Sequence, residues 1–164
     1  MRQYLVGKSA LIAFSNRQLA KLVRDFLRSN GVEYCAIAET SQAAVSLTEA
    51  RPVDLFFVDY DLEPIGGIFF VKFLRMQPTA VAEAPCVMVI PSPSKEKVWE
   101  ARDAGVNEIL GLPLTAELLK SRLSKIYTEP RPFIRASTYI GPCRRIRQVQ
   151  IYHGQERRKQ KGGK

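Results

Sequence analysis

The apolar residues of this chain fall into short blocks of two alternating kinds. Ser9–Phe14, Val53–Val58 (VDLFFV) and Pro85–Ile90 (PCVMVI) are nearly continuous apolar runs of strand length. Strands covered on both faces have this pattern. Glu33–Ala38 and Val106–Leu110 are two further strand candidates. Between the runs, apolar positions recur at helical spacing. Leu19, Leu22, Val23, Phe26 and Leu27 follow Asn16, whose side chain suits a helix N-cap, and Asn30-Gly31 closes the segment. Ser41–Ala50 reads as a short helix stopped before Pro52, and Ile68–Met76 as another. Ser94 caps a helix running to Ala104 and closed by Gly105, and Thr115 caps a last one carrying Leu118, Leu119, Leu123 and Ile126.

Five strands alternating with five helices predict an α/β fold with a parallel sheet. Right-handed crossovers make it doubly wound, with helices on both faces and the flavodoxin-like strand order 2-1-3-4-5. Its functional crevice lies outside the carboxyl ends of the strands, between the first and third. The third strand delivers Asp59 there, the first Phe14 and Ser15, the fourth Ile90, and the loop after the fifth Leu112-Pro113. The expected crevice holds one carboxylate among mostly apolar neighbours.

Charge divides the chain differently. Of 164 residues, 1–128 carry 15 Lys/Arg against 14 Asp/Glu, whereas 129–164 carry 10 against 2. Nearly all of the net charge of +9 therefore sits behind Glu129-Pro130-Arg131-Pro132, where two prolines oppose helix continuation. The expected organisation is a lead-in (1–8), a near-neutral domain (9–128) and a basic tail (129–164). The tail repeats Tyr-x-Gly-x-x-Arg-Arg: Tyr139 with Arg144 and Arg145, then Tyr152 with Arg157 and Arg158. Paired guanidiniums beside an aromatic suit phosphate or carboxylate groups, which makes these six residues candidates for binding an anion or an acidic partner. From Gln155 onward a solvated tail without apolar periodicity is the competing expectation, whereas Phe133–Ile151 has enough apolar residues to order against something. A stretch with ten cations also suits nucleic acid, but no helix-turn-helix or other reader module accompanies it, so that reading is not favoured.

The body carries one more specific signal. VDLFFVDYDLEPIGG, APCVMVI and ARDAGVNEILGLPL resemble the third strand and loop, the fourth strand, and the fifth strand with its proline-bearing loop of two-component response-regulator receiver domains, the CheY-like family. The resemblance spans 9–127. It implies that Asp59 occupies the position phosphorylated by a histidine kinase with Mg²⁺. It also implies a degenerate site: Phe14 and Ser15 stand where the family has two acids, Ile90 where it has Ser or Thr, Leu112 where it has Lys, and Ile109 where it has an aromatic residue. Losing a cation near a phosphate forfeits roughly 4 kcal/mol at an effective dielectric of ~20. Mg²⁺ takes six oxygens, commonly including one or two carboxylates. Asp59 and Asp61 are the weak candidates for it, and the expectation is no cofactor unless Asp59 is phosphorylated.

Three function classes follow. The first is an atypical receiver acting by protein contacts; the second is a conventional phosphoacceptor using Asp59; the third is nucleic-acid binding by the tail. Enzyme readings rank low. His153 is the only histidine, and Gly7-Lys8-Ser9 lacks the first glycine and preceding strand of a phosphate-binding loop. Trp99, ringed by Lys95, Glu96, Arg102 and Asp103 at helical spacing, faces outward as a partner anchor together with Lys95 and Arg102, or is covered by the chain's own Phe133 and Tyr139. Expected partners are a histidine kinase or another signalling protein, with a homodimer as a further option and no membrane. Three cysteines at unrelated spacings, with Cys35 and Cys86 in apolar runs, suit a reducing cytoplasm, as does a start without a signal peptide's apolar middle.

Overall fold

A computed structural model describes residues 1–145. Strands β1 (Ser9–Ala13), β2 (Tyr34–Ala38), β3 (Leu55–Asp59), β4 (Cys86–Val89) and β5 (Glu108–Leu110) form one parallel sheet in the order β2-β1-β3-β4-β5, the doubly wound arrangement expected. Helices α2 (Arg17–Ser29), α3 (Ser41–Ala50), α4 (Gly67–Met76) and α5 (Lys95–Ala104) supply the crossovers, and α6 (Ala116–Thr128) follows the last strand.

Alternation along the strands builds two cores. Phe56 and Val58 of β3 face one way, with Leu11, Met88, Phe70 and Leu74. Leu55 and Phe57 face the other, with Ile12, Val87, Leu27, Leu119 and Leu123. Period-2 side-chain direction explains how an unbroken apolar run serves both layers. The helix starts follow their capping residues. The Asn16 side chain accepts from the N–H groups of Gln18 and Leu19, Ser94 from Lys97, and Thr115 from Leu118.

Two segments add elements that the sequence pattern did not specify. The lead-in is structured: helix α1 (Arg2–Leu5) buries Leu5 completely and stacks Tyr4 on Tyr127 of α6, 5.6 Å between ring centres. The stretch expected as a basic tail begins with an antiparallel hairpin, β6 (Phe133–Ala136) and β7 (Tyr139–Pro142). It packs where α5 ends. Gly105, at φ +95°, closes α5 in the left-handed conformation, and a Cβ there would lie 2.7 Å from the Ile140 carbonyl oxygen. Gly141 meets the Gly105 backbone just as closely. Only residues without side chains allow this approach.

The hairpin also covers an unexpected buried cation. Arg75, 1% exposed, lies among apolar residues of α4. Its guanidinium donates to the carbonyls of Ala82 (2.6 Å), Ala84 (2.8 Å) and Gly105 (2.9 Å) and to Asn107 Oδ1 (3.0 Å). The ring of Phe133 lies 5.6 Å away. Neutral oxygens replace the lost water shell, which is what makes burial of this charge tolerable.

Candidate functional site

Parallel registry places the ends of β1, β3 and β4 side by side. Ala13 pairs with Val58 and Asp59 with Val89, so Phe14 comes level with the aspartate and Ile90 lies one residue past it. Both are fully buried, and Ser15 is exposed. Leu112, beyond β5, is 42% exposed. Asp59 itself is 8% exposed, and its Oδ1 accepts from the Asp61 N–H at 3.2 Å. The chain turns away tightly: Gly67 N–H donates to the Tyr60 carbonyl, and a Cβ on Gly67 would collide with the Asp59 carbonyl oxygen.

Burial pushes the Asp59 carboxyl above its ordinary value; the Asp61 N–H pulls it back, and the Asp61 charge adds to the rise. No cation among the described residues enters this balance. Asp61 is exposed and acts on Asp59 as a like charge. Among the described residues no group of three or more His, Cys, Asp or Glu side chains is placed to hold a metal ion.

The raised value carries a stability consequence. A carboxyl whose folded pKa exceeds its unfolded one favours folding below the unfolded value and loses that contribution as pH rises through the folded one. At neutral pH, ionised Asp59 therefore opposes the fold. Asp59→Asn keeps an acceptor for the Asp61 N–H and removes the charge. Its melting temperature is expected to exceed the native one at pH 7. The gap should close as pH falls below the carboxylate range, and thermal melts across pH check it.

The residues expected to form one partner surface around Trp99 lie on two. Trp99 is 48% exposed, with Lys95 Nζ 4.6 Å from its ring. It lines a groove of about 720 Å³ between α5 and α4, shared with Phe69, Lys72, Asp103 and Tyr60. Arg102 instead lines a separate cleft over β5 and α6. Helical geometry explains the division: at 100° per residue, Val98 and Arg102 project to one side of α5, and Glu96, Trp99 and Asp103 to the other. Phe133 and Tyr139 do not line the Trp99 groove, although Thr138 at the hairpin turn borders it.

The first copy of the tail repeat is engaged within the chain. Tyr139 is buried, and its hydroxyl donates to the Pro142 carbonyl at 2.6 Å. Arg144 lies over the Tyr139 ring at 4.1 Å and pairs with Asp103 at 2.8 Å. Tyr139 is thus a packing residue beside the Arg144 guanidinium. Arg145 stays exposed. Tyr152, Arg157 and Arg158 lie outside the described residues. Cys86 is buried as expected, whereas Cys35 is only half-buried; these two and Cys143 are free thiols. No helix of the described residues is long and apolar enough to cross a membrane.

A family model, the response regulator receiver domain, matches residues 11–124. The chain belongs to this family. As a receiver domain it is part of two-component signalling, in which receivers interact with histidine kinases and other signalling proteins. The receiver is 25% identical over 109 residues to the chemotaxis protein CheY of Pseudomonas aeruginosa, covering 66% of this chain and 87% of that one. In structure it is similar to the chemotaxis response regulator CheY4 of Vibrio cholerae (TM-score 0.67, 23% identity, 73% of this chain and 98% of the other). It is also similar to the signal receiver domain of a signal transduction histidine kinase from Syntrophus aciditrophicus (TM-score 0.66, 16% identity, 80% and 99%). The hairpin and the residues after it lie beyond the matched receiver segment.

Proposed function

We propose that this is an atypical receiver that signals through protein–protein contacts without a phosphorylated Asp59, and that it has no catalytic activity of its own. The observation that carries the reading is the company Asp59 keeps. Its strand-end neighbours Phe14 and Ile90 are fully buried hydrocarbon, and Leu112 stands where receivers hold their phosphate-binding lysine.

Mg²⁺ does not fit this donor set. The ion requires near-octahedral oxygen coordination, commonly anchored by one or two carboxylates. Phe14 offers no oxygen, Ser15 only a neutral hydroxyl, and Asp61 is exposed while its backbone turns toward Asp59. A phosphoryl group on Asp59 would add charge to a site already unfavourable for one carboxylate, with no cation among the described residues to offset it. The contact surfaces, by contrast, are well developed: an aromatic groove on one side of α5 and a cationic cleft on the other.

Calorimetric titration with Mg²⁺ tests the misfit. The native chain and Asp59→Asn are expected to give indistinguishable heats through the low millimolar range. Saturable binding that disappears in Asp59→Asn would overturn the reading.

A further inference from the structure

Phe69 and Phe70 are neighbours in sequence, yet the 100° step of α4 separates them: Phe70 is fully buried and Phe69 is 62% exposed. Ile65, 47% exposed, and Trp99 stand with Phe69 along the groove between α4 and α5. Single exposed apolar residues are ordinary, but three that share one groove form a patch of the kind that marks a contact site. The groove lies on the side of α5 turned away from β5 and α6. Thr138 at the hairpin turn borders it, so its lining includes a residue beyond the matched receiver segment.

The charges of the groove are divided between its walls. Lys72 lies on α4, about one turn beyond Phe69, and Glu96, Glu100 and Asp103 lie on α5. Asp103 is shared between Arg102 (3.0 Å) and Arg144 (2.8 Å). Among the described residues, Lys72, Glu96 and Glu100 form no ion pair. Glu100 accepts from the Tyr60 hydroxyl at 2.6 Å, a neutral donor that leaves its charge in place.

Lys95 and Lys97 lie over the rings of Trp99 and Tyr60 beside the groove, 4.6 and 4.8 Å from the ring centres. With Lys72 they set three ammonium groups against the three carboxylates of α5. A surface so balanced selects neither a polyanion nor a polycation. Residues 146–164 carry six Lys/Arg and one Glu, so charge does not match this chain's own continuation to the groove either. Two signs on opposite walls are instead complementary to a copy of themselves. A two-fold axis presents the same patch from both sides, and turns the cation of one wall toward the carboxylates of the other.

We propose that the groove between α4 and α5 is the interface through which two copies of this chain pair about a two-fold axis. The inference rests on the reading that the module works by protein contacts, and it names the partner as a second copy and the surface as this groove. Phe69 of each copy covers Trp99 and Ile65 of the other, where aromatic contact adds to the burial of apolar area. Lys72 of each copy faces Glu96 and Glu100 of the other, which fixes the register of the pair.

Sedimentation velocity on the full chain tests this, with the emission of Trp99, the only tryptophan, recorded on the same samples. The native chain is expected to pass from monomer to dimer across the micromolar range, and the emission to shift to the blue over that range as Trp99 leaves water. Lys72→Glu and Glu96→Lys should each weaken pairing at least about tenfold, because a two-fold dimer brings the new like charges together twice. An equimolar mixture of the two variants should recover pairing to within about threefold of native, since each chain then meets its complement. Lys120→Glu makes the same charge change on the exposed side of α6, away from the groove, and should alter pairing less than about twofold. Far-UV circular dichroism confirms that each variant is folded. A monomer throughout, swaps that act like Lys120→Glu, single swaps that mixing does not rescue, or an emission independent of concentration would each overturn the proposal. Intact mass after acetyl phosphate treatment reports separately on Asp59, so failure of the dimer and failure of the phosphorylation reading give different results.

Discussion

Replacing Arg75 with methionine is expected to remove about 3–5 kcal/mol of folding stability, the size of effect seen when a buried polar network loses its central partner. Methionine fills much of the volume but satisfies none of the four acceptors, the carbonyls of Ala82, Ala84 and Gly105 and the side chain of Asn107. The three carbonyl oxygens are buried, where water replaces a guanidinium poorly. Arg75→Lys is expected to recover only part of the loss, because one ammonium cannot span acceptors laid out around a planar fork. Urea denaturation of both variants measures this. A methionine variant within about 1 kcal/mol of the native protein, the range of an ordinary surface substitution, would show that Arg75 does not organise this region.

The loss should propagate to the hairpin. Arg75 lies against Gly105 and faces the ring of Phe133, and Gly105 in turn touches Ile140 and Gly141. Asn107 holds the same corner from the other side, since its Oδ1 also accepts from the Cys86 N–H at 2.9 Å. The buried guanidinium therefore couples the receiver body to the segment that completes the cationic cleft.

What could be read in advance, and what could not, follows from the range of the interactions. The runs ending at Phe14, Asp59 and Ile90 are legible because strands covered on both faces must be apolar throughout. Asn16, Ser94 and Thr115 mark helix starts because capping is a contact over two or three residues. The position of Asp59 in the crevice follows from topology alone. Arg75 was hidden because its partners lie between seven and 32 positions away. One trace existed: Arg75 is four positions after buried Val71 and eight after buried Gly67, on the inward stripe of α4.

The hairpin was legible only in part. The apolar residues from Phe133 onward signal that the stretch orders against something, but its strands and its seat depend on two glycine contacts and the Arg75 corner, which are distant in sequence. Trp99 is exposed, one of the two outcomes its ring of charged neighbours left open, but its grouping with Arg102 ignored the 100° step that separates the sides of a helix.

The most direct measurement incubates the full chain with acetyl phosphate and Mg²⁺, with Asp59→Ala treated in parallel, and follows both by intact-mass and peptide-level mass spectrometry. Acyl phosphates hydrolyse, so the time course must be sampled early and quenched cold. The account predicts no gain at Asp59 in the native chain, because Phe14, Ile90 and Leu112 supply neither a cation nor a hydrogen-bond donor to the transferred group. A gain of one phosphoryl mass that maps to Asp59 and is absent from Asp59→Ala would contradict it.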